Sequence, residues 1–469
     1  MNVPGKKNRD DSQFKLACKI AVAVKTAAGR ALVVGGYPRD TVLAKEGFDI
    51  KPKDIDLEVF GLSADRLFKL LSEFGRVNEV GASFAVFKLS DLDVSLPRRD
   101  SKTGAGHRDF RVETDPDLGF AEASRRRDFT INSLALDPLT GEMLDAHGGM
   151  SDIKNRILRA TDYKLFGDDP LRVLRAMQLA ARFDFKIEEK TMEVCRDLDL
   201  LPLSRERIGE EWRKLLLKSP RPSIGLSASY DLLVIKKLHP EVEAMVGVPQ
   251  SPKWHPEGDV WTHTLLVLDA TANIIRREKL DEKRALILLL TALVHDLGKP
   301  PTTKIWPEGR ITSYGHAKAG LAPAKKFLES LALSEEITRP VLSLVREHMY
   351  PAFNKDVSAA AIRRLAVRLQ PATIEDLVWA SEADRRGRAP SLEFDFPEGR
   401  ALLLRAKLLE VEDRAPKPIV MGRHLLKEGI PPGLRLGVIL ARLFEAQLEG
   451  SFSDLPGGLE YFRDHLSHL

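Results

Sequence analysis

The spacing of apolar residues changes character near residue 170. Before it, the runs are short. Residues 31–36 (ALVVGG) read as a buried strand that ends in a glycine turn and leads into a helix. Residues 54–61 (DIDLEVFG), 84–89 (FAVFKL), 92–97 (LDVSLP) and 131–137 (INSLALD) are apolar or alternating and are separated by Gly and Pro, as strands are. From Pro170 onward apolar residues recur at helical spacing, as in 171–183 (LRVLRAMQLAARF) and 206–217 (ERIGEEWRKLLL). Only a turn-rich segment at 305–314 interrupts that pattern. The expected class is α+β, with an α/β head followed by a long helical body.

Composition narrows the possibilities. A chain of 469 residues is too long for one hydrophobic core, and 43% hydrophobic with 30% charged residues is a globular balance. The net charge is only +4, so a polyanionic partner would have to be held by local basic patches. Two cysteines, Cys18 and Cys195, exclude a disulfide framework and a cysteine-built zinc site, as expected in a reducing cytoplasm. Residues 1–14 have no apolar core of a secretory signal, and Ala285–Val294 is too short to span a bilayer. A cytoplasmic protein with no membrane association is expected.

Asp54 and Asp56 are two apart in an expected strand, so both side chains would leave one face. Paired acids repel each other and become useful when they share divalent cations. Taken alone, Asp-Ile-Asp is most often a solvated strand end, and Gly35-Gly36 a packing turn. Together they place two carboxylates near a glycine turn whose amides and helix N-terminus can hold phosphate. Asp93, on another expected strand, is a candidate third carboxylate.

The series Gly35-Gly36-Tyr37-Pro38-Arg39-Asp40, Asp54-Ile55-Asp56 and Arg126-Arg127-Asp128-Phe129-Thr130-Ile131-Asn132 resembles successive motifs of the class II tRNA nucleotidyltransferase and bacterial poly(A) polymerase family. Pro38 stands where that family usually has a small aliphatic residue. The resemblance implies that Asp54 and Asp56 bind catalytic Mg²⁺, that Gly35, Gly36 and Arg39 help hold the nucleotide, and that Arg127, Asp128 and Asn132 contact its sugar and phosphates. Asp168-Asp169-Pro170-Leu171-Arg172, with Arg175, resembles the family's nucleotide-selecting motif, although Asp168 replaces the usual Glu. Asp169 and Arg172, three apart, would share a helix face. A carboxylate accepting from an exocyclic amine and a guanidinium donating to a ring acceptor would take C and A and refuse U and G. On spacing alone the pair is an ordinary surface ion pair. Residues 98–111 (RRDSKTGAGHRDFR) read as a non-periodic basic loop, and the resemblance gives a flexible loop here to enzymes that complete CCA. Ser204-Arg205-Glu206-Arg207 and Glu211 resemble a structural motif that ties helices together.

The second half carries His263, His295-Asp296 at the end of an apolar helix, His316, His348 and Asp384. Burying such groups costs several kcal/mol, of order 2–7, unless a partner or metal compensates them. Imidazole with carboxylate suits a divalent metal that activates water. The series resembles the HD phosphohydrolase superfamily, in which His263, His295, Asp296 and Asp384 would ligate the metal and His316 and His348 match the two-metal members. The metal would be Mg²⁺ or a divalent transition metal. HD domains attached to CCA-adding enzymes resemble phosphodiesterases acting on 2′,3′-cyclic phosphates.

The resemblance therefore implies a nucleotidyltransferase head with a small mixed sheet (1–155), an all-α neck that selects the nucleotide (156–235), an HD-type helical body (236–390) and a helical tail touching tRNA (391–469). The implied partners are tRNA, CTP and ATP, with no stable protein partner. A poly(A) polymerase, an enzyme adding only CC or only A, and an HD phosphodiesterase with the head as an RNA-binding module remain open at this point.

Overall fold

The computed structural model describes residues 9–80, 86–102, 110–353, 357–388 and 395–468. The chain forms two compact units, Met1–Glu211 with Ile224–Leu238, and Trp212–Ser223 with His239–Leu469.

The first unit is built on strands β1 (Arg30–Val34), β2 (Asp56–Phe60), β3 (Val77–Val80), β4 (Val86–Leu89), β5 (Leu92–Ser95), β8 (Ala135–Leu136) and β9 (Met143–Leu144). They form one seven-stranded mixed sheet in the order β3-β4-β5-β2-β1-β8-β9. β2 runs antiparallel to β1, with Val34 opposite Asp56, and parallel to β5, with Asp56 opposite Asp93. Alternation along the strands sorts their side chains. Leu57, Val59 and Val94 pack into a core completed by Ala17, Ile20, Ala21 and Val24 of the helix Arg9–Thr26. Each such buried aliphatic contributes roughly 1.5–3 kcal/mol. Asp56, Glu58 and Asp93 consequently leave the opposite face.

The structure corrects three expectations in this unit. The strand begins at Asp56; Asp54 precedes it in a left-handed conformation (φ 56°), so the pleat does not set its direction. Within 131–137 only Ala135–Leu136 is a strand, because Thr130–Asn132 closes a 3₁₀ turn. Residues 98–111 are not simply a loop: β6 (Arg98–Lys102) pairs antiparallel with β7 (Phe110–Thr114) as a two-stranded ribbon. Residues 103–109, at the centre of the expected loop, lie outside the described residues. A short parallel pair, Ile157–Leu158 with Lys186–Ile187, has runs too short to be read from sequence.

The second unit is helical apart from a small hairpin, Lys304–Ile305 with Ile311–Thr312. Asp259 and Asp281 cap the helices Val260–Glu278 and Glu282–Val294 through their side chains, satisfying amides that the first turn leaves open. Every residue from Ala285 to Val294 is buried, so this apolar helix is surrounded by protein. At the end of the chain, Leu425, Ile439, Leu443 and Phe462 belong to a small core shared by Gly422–Lys427, Leu434–Glu449 and Leu455–His465. Among the described residues no helix is long and apolar enough to cross a membrane.

Candidate active sites

In the first unit β1 delivers the chain to Gly35, whose backbone (φ 79°) favours glycine. A Cβ there would also lie 3.1 Å from Asp56 Oδ2. Gly35 therefore lets the carboxylate sit against the turn that opens the helix Gly36–Lys45. Asp56 is pushed up to about 6 by burial and by Asp93, with Arg127 opposing and Asp54 adding to the rise. Asp93 and Asp54 thus both disfavour the charged form of Asp56, against which Arg127 and Lys88 act. Lys88 pairs with Asp93 at 3.4 Å, and both are exposed. The acids do not close a three-donor metal group among the described residues. Two or three carboxylates that need substrate oxygens to complete the shell suit Mg²⁺, which binds through one or two carboxylates plus phosphates.

Beside the acids, five residues form one connected network. Arg39 Nε donates to Asp40 Oδ1 and Nη1 to Asn132 Oδ1, both at 2.7 Å. Asn132 Nδ2 donates to Asp128 Oδ1 at 2.9 Å, and Arg175 Nε donates to Asp128 Oδ2 at 2.7 Å. Burial raises Asp128, but Arg175 and Asn132 outweigh it and hold the carboxyl below its usual range. The sequence pointed to Arg39, Asp128, Asn132 and Arg175 separately; the structure joins them. Arg127 stands apart, with Nη2 3.4 Å from Glu58 Oε2, while Arg126 reaches Glu58 Oε1 at 2.8 Å. Glu58 is fully buried and was missed by the sequence reading, although it lies two residues from Asp56 in the alternating strand.

Asp169 and Arg172 are not arranged as expected. The helix begins at Leu171, and Asp169 is extended (φ −125°), so the two do not share a helix face. Arg172 donates to the carbonyls of Leu165 (2.7 Å) and Arg126 (2.6 Å). Asp169 instead accepts two hydrogen bonds from Arg207 Nη2, at 2.8 and 3.0 Å. Arg207 thus ties two helical segments together, as the motif implied, and does so by gripping a candidate selector. Arg182, also missed, stacks over Phe183, and among the described residues its ion-pair partner is Asp40, at a long 3.9 Å. Arg39 lies over the same ring, and burial with this neighbouring cation pushes Arg182 down.

In the second unit all six expected residues converge. His263 lies in the helix Val260–Glu278, His295 and Asp296 follow Glu282–Val294, His348 follows Glu335–Glu347, and Asp384 lies in Ile374–Arg386. His316 opens the short helix His316–Ala319. Gly298 makes this approach possible, since a Cβ there would be 2.0 Å from the His316 carbonyl oxygen. One donor on each of His263, His295 and Asp384 lies within 4.8 Å of the others, and the same holds for Asp296, His316 and His348. His263 Nε2 is 2.9 Å from Asp384 Oδ1, His295 Nε2 is 3.2 Å from Asp296 Oδ2, and His316 Nε2 is 3.5 Å from Asp296 Oδ1.

The donor set fits divalent metals. His295 Nε2 and Asp296 Oδ1 are buried without a hydrogen-bond partner, and Asp296 Oδ2 is met by the Lys299 ammonium, an arrangement that metal coordination would complete. Burial opposes ionisation of Asp296 and Asp384, but His295 and Lys299 around the first, and Arg388 beside the second, hold both well below the carboxylate range. Burial, with His295 and His316 adding, pushes His348 down to about 3, the neutral form a ligand requires. The sequence reading missed His255, Glu257, Lys299 and Arg388. Lys299 Nζ is 2.7 Å from Asp296, and Arg388 Nη2 is 2.6 Å from Asp384.

Comparison with known proteins follows the same division. Residues 31–159 match the poly A polymerase head domain family, and residues 260–414 match the HD domain family. The chain is 33% identical over 386 residues to the multifunctional CCA protein of Stenotrophomonas maltophilia, covering 79% of this chain and 89% of that one. Its fold is similar to the Bacillus stearothermophilus CCA-adding enzyme in complex with CTP, with a TM-score of 0.65 at 18% identity, covering 97% of this chain and 99% of that one. It is also similar to the Thermotoga maritima CCA-adding enzyme complexed with tRNA, with a TM-score of 0.55 at 19% identity and coverage of 98% and 99%. This chain belongs to the CCA-adding enzyme and poly(A) polymerase family of nucleotidyltransferases, in the form that also carries an HD domain.

Proposed function

We propose that the first unit adds CCA to the 3′ end of tRNA from CTP and ATP, and that the second is a phosphohydrolase for RNA-derived phosphoesters such as 2′,3′-cyclic phosphates. The observation that carries the first reading is the placement of Asp56 against the Gly35 turn and opposite Asp93 on the neighbouring strand. Crowded acids beside a phosphate-accepting turn are what a nucleotide–Mg²⁺ complex requires. Relatives whose structures hold CTP or tRNA support the choice of partners.

In this reading Asp54 and Asp56, with Asp93 beside them, hold the cations. Divalent cations held there would supply Lewis acidity to the RNA 3′-hydroxyl and neutralise the triphosphate. The amides around Gly35 and Gly36 cradle phosphate, and Arg127 and the Arg39–Asn132–Asp128–Arg175 network fix the nucleotide's sugar and phosphates. Asp169, oriented by Arg207, accepts from the exocyclic amine of C or A, and Arg172, while tied to the Leu165 and Arg126 carbonyls, donates a remaining N–H to the ring acceptor. Most of the rate comes from positioning and charge neutralisation. By the same assignment 1–155 is the catalytic head, 156–235 the selecting neck, 236–390 the HD body and 391–469 the segment that touches tRNA. In the HD body His263, His295, Asp296, His316, His348 and Asp384 would hold divalent metal, which supplies an activated water and charge neutralisation at phosphorus.

The test is incubation of the protein and Mg²⁺ with tRNA transcripts lacking CCA, supplying CTP, ATP, both, or all four nucleotides. Addition of two C and one A, then arrest, is expected, and Asp54→Ala or Asp56→Ala should lower it by at least ~10³-fold. A long A tail would move the assignment to poly(A) polymerase, and CC alone to a partial enzyme. Near-wild-type addition by Asp54→Ala would remove the catalytic assignment.

A further inference from the structure

Metal-ligating histidines need one nitrogen bare and the other held as N–H by an acceptor. In His295, His316 and His348 the backbone provides that acceptor. Their Nδ1 atoms lie 2.9, 2.9 and 2.6 Å from the carbonyl oxygens three residues earlier, of Ala292, Ser313 and Val345. His295 and His348 are helix C-caps, where such carbonyls are left open, and His316 follows a turn. All three Nε2 atoms therefore face the cluster.

His263 cannot use this device. It sits in the first turn of Val260–Glu278, and the nearby Val260 carbonyl already accepts from Thr264 Oγ1 at 2.8 Å within a continuing helix. Its Nδ1 instead meets Glu257 Oε1 at 2.7 Å, and the same oxygen accepts from His255 Nδ1 at 2.8 Å. The Glu257 side chain is 3% exposed and the His263 side chain fully buried. The His255 ring packs edge-on against His263, with centroids 4.9 Å apart, so the clasp is sterically as well as electrostatically defined.

We propose that Glu257, itself oriented by His255, is the positioning residue that fixes His263 with its proton on Nδ1 and its Nε2 presented to metal. Glu257 replaces, with a side chain, the backbone acceptor that the other three histidines have. It acts through His263 and does not coordinate metal. The inference rests on the reading of this cluster as a metal site.

Direct titration of Mn²⁺ into full-length protein tests it, in an Asp54→Ala/Asp56→Ala background that silences the head. In this background Glu257→Ala should weaken Mn²⁺ binding 10–100-fold, the usual effect of losing an outer hydrogen-bond partner. Glu257→Gln keeps an oxygen that can accept from His263 and should bind within about fivefold of the parent, a rescue that a carboxylate ligand would not allow. His255→Ala should fall between the two. Melting in EDTA controls for folding, and CTP incorporation by each Glu257 variant with the head intact should equal wild type. Parent-like Mn²⁺ binding by Glu257→Ala overturns the proposal. Equal losses in Glu257→Ala and Glu257→Gln also overturn it, in favour of Glu257 as a direct ligand. A parent protein that binds no Mn²⁺ fails at the earlier step, the metal reading of the cluster, and takes the proposal with it.

Discussion

Asp169 is held by Arg207 and by the Leu171 N–H, not by Arg172, and this changes which residue should control nucleotide choice. A carboxylate that accepts two hydrogen bonds from a guanidinium keeps its remaining lone pairs in fixed directions. Without that grip it can turn to satisfy a U or G edge, or solvent. Hydrogen bonds to charged groups contribute about 1.5–3 kcal/mol, so Arg207→Ala should relax discrimination against UTP and GTP by roughly 10–100-fold. Competition assays with mixed nucleotides on tRNA ending in CC would show this, and unchanged selectivity would mean that Asp169 is not the reader. Arg182 invites a separate measurement. A largely buried cation whose ion pair with Asp40 is a long 3.9 Å, next to the acids of the head, is suited to an incoming phosphate. Arg182→Ala should raise KM for CTP and ATP about tenfold with little change in kcat, a loss of roughly 1.4 kcal/mol of uniform binding. Residue types such as Asp56, Asn132 and His295 were legible because the motifs fix their order. Arg207's grip on Asp169, Glu58's on Arg126 and Glu257's on His263 were not, because each partner is set by tertiary approach, on which spacing is silent.

At the level of elements, the apolar periodicities located the helices well where they were long. Leu171–Phe183 and Arg205–Lys218 fall almost on the expected spans. It failed at edges, where one or two residues decide function. Asp54 leaves the strand through a left-handed residue, Asp169 stops short of its helix, and residues 98–102 and 110–114 pair as a ribbon because β structure depends on a partner that a basic sequence does not reveal. The connection through Gly298 shows how much depends on such edges. Alanine there would drive a Cβ into the His316 carbonyl at 2.0 Å, and backbone cannot yield cheaply. Gly298→Ala should therefore displace His316 from Asp296, lowering Mn²⁺ affinity of the second unit by an order of magnitude or more while the head keeps its activity. Loss of Mn²⁺ binding and head activity together would show instead that the substitution unfolds the chain.

At the scale of the molecule, a nucleotidyltransferase head and an HD domain share one polypeptide, and its stability has a pH dependence that can be read from a group outside the candidate sites of both. His239 is buried between Trp212 and Phe327, with ring centroids at 5.4 and 5.0 Å. Trp212 Nε1 donates to His239 Nε2 at 3.1 Å, which leaves the proton on Nδ1 facing Ser330 Oγ at 3.2 Å. A second proton would point at the indole N–H, and burial, with the Lys326 charge adding, pushes His239 down to about 3. An unfolded histidine titrates near 6.5, so between these values the unfolded chain binds the extra proton and the folded chain does not. Folding stability from this group is therefore complete above pH ~6.5 and falls by about 1.4 kcal/mol for each unit below it, down to about pH 3. Between pH 7 and pH 5 the loss should be about 2 kcal/mol, seen as a lower urea midpoint for unfolding of the second unit. His239→Gln should cost stability at pH 7 yet show a pH dependence shallower by that amount. If wild type and His239→Gln lose stability in parallel on acidification, the neutral histidine is not what couples this unit to pH.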